Sequence, residues 1–286
     1  MEFLGEDLFK EKVLSEPLSK TFLDWEKERC LAGMITKNYA ELPPLRADMA
    51  RHLADTRAWI REQCARPAEE MAEFFTVREN GYDEHMMQFA PCYDVTASLI
   101  PADCRKLLDL GCGSGLELDA LERLCQTEER AFPSVVGVDM TKALVDQLFA
   151  KHPDKDITVK MGSYFDVPFG EEAEEFDCAV SVESIHHFSL EEKLPLFRKV
   201  WEALKPGGVF LQCDYFACCE EEVAMHEEHW RVRRAMNKDI GEGEFVHIDR
   251  PKMAYDEAAV MEKAGFSEVL YCTVGVEGTL LLIAKK

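Results

Sequence analysis

Residues 106–115 read KLLDLGCGSG, and the fold turns on how that decapeptide is parsed. Leu107, Leu108 and Leu110 make a short apolar run of the kind that fills a strand buried on both faces. Leu116, Leu118, Leu121 and Leu124 then recur at roughly helical spacing, so the chain passes from strand to helix through a loop. Gly111, Gly113 and Gly115 leave that loop without side chains, which lets a ligand lie against the backbone and meet amide donors at the helix start. A dinucleotide fingerprint requires G-x-G-x-x-G, and the third glycine position is here Leu116, so the spacing disfavours NAD.

Working outward, the alternation is regular. Strand Ser134 to Val138, helix Thr141 to Lys151, strands Ile157 to Gly162 and Phe176 to Ser181, helix Leu190 to Leu204 and strand Gly208 to Tyr215 follow in turn. Alternating strands and helices imply a parallel sheet. A further helix, about Met253 to Ala264, ends at Gly265, and two β-rich runs, Glu268 to Val276 and Thr279 to Ala284, predict a terminal hairpin. Asp139 ends the apolar run VVGVD one strand-helix-strand unit beyond the glycine turn, where a carboxylate accepts the hydroxyls of a ribose. An acid that stabilises a helix N-terminus is the plainer reading of the same residue.

The bounds from composition agree. With 286 residues and 47% hydrophobic content the chain suffices for one large α/β domain and an accessory part. A formal net charge of −22 argues against nucleic acid or an anionic membrane as partner, because such a surface repels polyanions, and the patch Arg231, Arg233, Arg234 and Lys238 is too small to reverse it. Eleven irregularly spaced cysteines without a C-x-x-C pair fit reduced thiols in a cytoplasmic protein better than a disulfide scaffold. Cys112, inside the glycine turn, has no evident activating base among its neighbours. The acidic, amphipathic start lacks the basic region and long apolar core of a secretory signal.

The pattern D-x-G-x-G-x-G, led by Asp109, resembles motif I of the class I S-adenosylmethionine (SAM)-dependent methyltransferases. Three other stretches resemble the small-molecule type of that family in the expected order: F-x-x-R-x-x-x-Y-D ending at Tyr82-Asp83, SVESIHHFS at Ser181 to Ser189, and LKPGGVFLQCDY at Leu204 to Tyr215. The resemblance implies a Rossmann-like, mainly parallel seven-stranded sheet with an antiparallel last strand and helices on both faces. It implies SAM as cofactor and a small-molecule acceptor, without an N-P-P-Y or D-P-P-Y sequence of the base-modifying amino-methyltransferases. By that resemblance Gly111, Gly113 and Gly115 hold the methionine portion and Asp109 its ammonium. Asp139 holds the ribose, Met140 the adenine face, Ser163 and Tyr164 the adenine, with Val182 at the methionine end and Tyr82 as a lid contact. Ser163 departs from the family's Gly-Asp or Gly-Asn pair, so that polar contact stays open between its hydroxyl, a backbone carbonyl and Asp166. Glu183, His187 and Tyr215 are the candidate site-lining residues for chemistry, His187 as general base, with loop ordering the alternative for both His186 and His187.

Residues 1–66 read as a helical appendage: an apolar stripe through Phe3, Leu4, Leu8, Val13 and Leu14, then helices Phe22 to Leu42 and Leu45 to Cys64 divided by Pro43-Pro44. It fits a cap, a domain edge or a contact between copies of the chain. The boundary falls at Arg66-Pro67, with a helix from Pro67 through MAEFFTVREN, so that 67–286 is the methyltransferase domain and the insert 216–252 a lid over the acceptor. Glu222, His226 and His229 share a helix face, but neighbouring glutamates suit an exposed acidic helix, and we read no metal site from the sequence. A SAM-binding regulatory or scaffolding protein and a protein methyltransferase are the alternatives.

Overall fold

The computed structural model describes residues 35–66, 68–236 and 245–286. The stripe at 3–14, the first part of the helix read from Phe22, Pro67 and Lys238 lie outside the described residues. The central sheet consists of β1 (Ile35–Thr36), β2 (Lys106–Leu110), β3 (Ser134–Asp139), β4 (Ile157–Met161), β5 (Phe176–Val182), β6 (Leu204–Tyr215), β7 (Glu268–Thr273) and β8 (Thr279–Lys285). Its order is β1-β7-β8-β6-β5-β2-β3-β4. The strands from β4 to β6 pair in parallel, while β8 runs antiparallel to both β6 and β7, as a terminal hairpin inserted into the sheet.

Seven of these strands follow the expected arrangement, and β1 is an addition at the edge. The expectation of helix from Phe22 through Leu42 fails over its described end: Ile35 and Thr36 pair with Cys272 and Tyr271 of β7, and Tyr39–Glu41 is a single 3-10 turn. Two β-branched residues found an open sheet edge there, a contact no local pattern announces.

Helices cover both faces: α1 (Met49–Gln63), α2 (Met71–Thr76), α3 (Tyr82–Met86), α4 (Ala90–Leu99), α5 (Leu116–Thr127), α6 (Lys142–Lys151), α7 (Leu190–Ala203), α8 (Glu220–Met236) and α9 (Ala254–Ala264). The helix expected through Asn80 stops at Thr76. Strand alternation divides the core. Leu107, Val135 and Val180 pack with α4 and α5 on one face, and Leu108, Leu110, Val138 and Phe210 with α7 and α9 on the other. No sequence pattern announced α4, because seven of its ten residues are buried and it lacks a polar face to set a helical period. Between Phe176 and Cys178 the β5–β6 register shifts, so Lys205-Pro206-Gly207-Gly208 loops out before Val209 resumes pairing. No helix among the described residues is long and apolar enough to cross a membrane.

Candidate functional site

The sheet order reverses between β2 and β5, since β3 lies on one side of β2 and β5 on the other, and the crevice at the carboxyl ends of such strands is where open α/β sheets bind ligands. There a cleft is lined by Gly111 and Gly113 after β2, Asp139 and Met140 after β3, Ser163 and Tyr164 after β4, and Val182, Glu183 and His187 around the end of β5. All three glycines of the turn adopt positive φ, +77° at Gly111, +45° at Gly113 and +78° at Gly115. At Gly111 space forbids a side chain as well: a Cβ there falls 2.1 Å from Ser184 Oγ. Gly115 is the left-handed N-cap of α5, packed against Leu148 and outside the cleft wall.

Asp139 is anchored rather than loose. Its Oδ2 accepts from the Gly113 amide at 2.9 Å and its Oδ1 from the Thr141 amide at 2.7 Å, leaving a lone pair on each oxygen for a diol. Burial raises its pKa, partly offset by those amides. Asp109 lies beneath the glycines, fully buried, with neither carboxyl oxygen hydrogen-bonded to a donor. Its neighbour is Glu117 of α5, also buried, and two adjacent carboxyls oppose each other's ionisation. Burial, with the charge of Asp139, pushes Asp109 up to about 7 despite Glu117, and burial with Asp109 holds Glu117 well above the usual range. Glu117 escaped the sequence reading, since an acid in the first helical turn normally signals only dipole compensation. Cys112 is buried under the turn, and burial beside Asp109 keeps its thiol protonated, which removes it as a nucleophile.

Ser163 Oγ accepts from the Phe165 amide at 3.2 Å, and Asp166 is exposed outside the cleft. Tyr164 is buried and its hydroxyl donates to the Ser184 carbonyl at 3.2 Å, bracing the loop after β5. Over the top lie Met71, Phe75, Tyr82 and Phe245. This roof is two segments zipped together: the Met71 amide donates to the Phe245 carbonyl at 2.9 Å, the His247 amide to the Glu69 carbonyl at 3.1 Å, and Phe74 stacks on His247 at 3.5 Å. The cleft volume beneath it is about 70 Å³.

Glu183 directly follows β5 with φ +50°, a strained conformation for a side-chain-bearing residue. Its Oε1 accepts from the Thr279 hydroxyl at 3.2 Å, and burial with the charge of Asp214 pushes it up to about 8. His186 Nδ1 donates to Asp214 Oδ1 at 2.5 Å. Burial opposes its charge, yet Asp214 and Asp249 raise His186 well above the usual imidazole value. Burial and the adjacent His186 lower His187. The run FVHIDRP packs on this pair, with the Arg250 amide donating to the His186 carbonyl at 2.9 Å.

A second cavity, about 980 Å³, opens beside the cleft and shares Phe75, Tyr82, Glu183 and His187 with it. Its walls include Arg46, Tyr215, His247 and Asp249. Tyr215 therefore faces this cavity and not the cleft, and its hydroxyl donates to Glu222. Glu222, His226 and His229 do not form an exposed acidic face: all three are buried, Glu222 receiving His52 at 2.7 Å and His226 Nδ1 donating to the Asp249 carbonyl at 3.0 Å.

Residues 108–212 match the family described as a methyltransferase domain. The matched span carries the glycine turn, Asp139 and the strands β2 to β5 that form the cleft, and the fold is shared with SAM-dependent methyltransferases of known structure. The chain is 31% identical over 149 residues to cypemycin N-terminal methyltransferase of Streptomyces sp., a match covering 46% of this chain and 56% of that one. It is 30% identical over 113 residues to the ubiquinone biosynthesis O-methyltransferase of Bartonella tribocorum, covering 39% and 42%. The chain thus spans about half the length of these relatives. Human N-acetylserotonin methyltransferase, solved with SAM, shares the fold at a TM-score of 0.55 and 15% identity, over 98% of this chain and 74% of that one. The residues present suit the cofactor, since the buried Asp109 carboxyl lacks a donor and Gly111 and Gly113 present bare backbone to the cleft.

Proposed function

We propose that the protein transfers the methyl group of SAM to a small molecule held in the 980 Å³ cavity, releasing S-adenosylhomocysteine. The observation that carries this reading is the meeting of the two cavities at Glu183 and His187, which sets a roomy cavity directly beside the cleft. SAM supplies a carbon already electrophilic on a sulfonium, so the protein's tasks are alignment, exclusion of water and, for some acceptors, removal of one proton.

In this reading Asp139 holds the ribose diol through its two spare lone pairs, and Asp109 with Glu117 supplies the negative charge that faces the methionine ammonium. Gly111, Gly113 and Gly115 shape the backbone on which that portion lies. Met140, Ser163 and Tyr164 enclose the adenine, while Val182 and Tyr82 close the cleft. His187, lowered by burial and by His186, is neutral near pH 7 and holds a lone pair for the acceptor's proton. Glu183 orients the acceptor from the shared wall. Tyr215, committed to Glu222, shapes the chamber. We take 67–286 as the catalytic domain, 1–66 as a cap and 216–252 as a lid. Arg46 supports the cap assignment, because it lines the chamber and donates to the Glu277 carbonyl at 2.9 Å.

A peptide amine entering the same chamber is the second reading, favoured by the likeness to an N-terminal methyltransferase. A screen of metabolites and short peptides for S-adenosylhomocysteine release distinguishes the two. With the acceptor found, His187→Ala lowers turnover by roughly 10²–10⁴ with SAM affinity little changed. Full turnover by that variant would leave positioning as the whole mechanism.

A further inference from the structure

Among the described residues, one cluster at the chamber wall has more polar order than methyl transfer requires. His186 Nε2 lies 3.5 Å from Asp249 Oδ1, and His187 Nδ1 lies 3.3 Å from the same oxygen. The three atoms sit within 4.8 Å of one another. Ligands about 2.0–2.2 Å from a divalent ion are roughly 3–3.5 Å apart, so two of the three separations already have the spacing of a coordination shell. His187 is 7% exposed, and its Nδ1 makes no well-aligned hydrogen bond although Asp249 Oδ1 is 3.3 Å away, so this buried nitrogen is available to a ligand at the cluster.

The surroundings match a metal ligand set. His186 donates its other ring nitrogen to Asp214 at 2.5 Å, the carboxylate support that orients a ligating imidazole and raises its basicity. Asp214 is itself held by the Ile185 amide at 3.0 Å and the Tyr215 amide at 3.0 Å. All three candidate ligands line the 980 Å³ chamber, so the positions they leave open face its interior. Charge points the same way: Asp214 and Asp249 both contact His186, two carboxylates on one imidazole, and a dication answers that excess.

We propose that His186 Nε2, His187 Nδ1 and Asp249 Oδ1 bind a divalent first-row transition-metal ion whose open coordination positions face the chamber. Two imidazoles and one carboxylate select zinc, cobalt or iron over magnesium or calcium, which take oxygen ligands. The ion displaces a proton from His186 Nε2, so affinity rises with pH. That its open positions receive an oxygen or nitrogen of the acceptor rests on the function proposed above. The metal site itself does not.

The full-length protein, stripped with a chelator and dialysed, is titrated with Co²⁺ followed by visible absorbance, and with Zn²⁺ by equilibrium dialysis and elemental analysis. One equivalent is expected, with affinity about 10–100-fold weaker in Asp214→Asn and a larger loss in Asp249→Asn and His187→Gln. Thermal melting and SAM titration of each variant establish that it is folded. No bound metal in the parent protein overturns the proposal. So does one equivalent whose affinity is unchanged in Asp249→Asn and His187→Gln, which would place the ion elsewhere, such as His52, Cys218 and Glu222. Failure to bind SAM with metal binding intact would instead count against the methyltransferase reading alone.

Discussion

Replacing Glu183 by Gln isolates the cost of a carboxylate buried where the two cavities meet. Burial and the charge of Asp214 hold Glu183 at about 8, against 4.5 for the free side chain. Below about pH 4.5 the group is neutral in both folded and unfolded chains, so the isosteric amide leaves stability nearly unchanged. Between 4.5 and about 8 the unfolded chain releases its proton while the folded chain retains it, and each unit of pH then costs the native protein up to about 1.4 kcal/mol. Above that window both forms are ionised and the penalty is constant. The whole span corresponds to roughly 4–5 kcal/mol, and sharing of the titration with Asp214 and His186 sets the expected range at roughly 2–5 kcal/mol. The variant therefore gains on the native chain as pH rises. The hydroxyl of Thr279 still has an amide oxygen to donate to. Urea unfolding followed by circular dichroism at about pH 5, 7 and 9, in chelator, measures the difference. A difference that does not change with pH, or one that turns against the variant as pH rises, would show Glu183 ionised and paired at neutral pH and refute the reasoning.

Two further outcomes test the cleft and the cap. Asp139→Ala removes the diol acceptor and the two amide contacts that fix it, and is expected to weaken SAM by about 1.5–3 kcal/mol in calorimetric titration; unchanged affinity in a folded variant removes Asp139 from the site. A chain beginning at Ala68 loses β1, α1 and Arg46 but keeps every strand that carries the cleft, so SAM binding is retained while stability falls. Loss of all cooperative unfolding would show that residues 35–66 complete the core.

The sequence by itself determined the parallel α/β frame, the glycine turn at Gly111, Gly113 and Gly115, and Asp139 at the end of β3. Each depends on local physics: a backbone that needs positive φ, an apolar run five or six residues long, a carboxylate at a strand end. The SVESIHHF stretch was likewise legible as a candidate, and Val182, Glu183 and His187 line one cleft in the structure. Only the tertiary structure decided which charges these residues feel. Asp249 reaches His186 and His187 from a loop that no period or spacing links to them, and Glu117 meets Asp109 because α5 turns it inward. His226 and His229 bury against α1 and the loop at Asp249, against the exposed helix that their glutamate neighbours suggested. The two-residue strand β1 exists because β7 offers an open edge, and α4 lacks a polar face because other elements surround it. Protonation, ligand geometry and edge pairing depend on groups distant in sequence, and packing alone sets those distances.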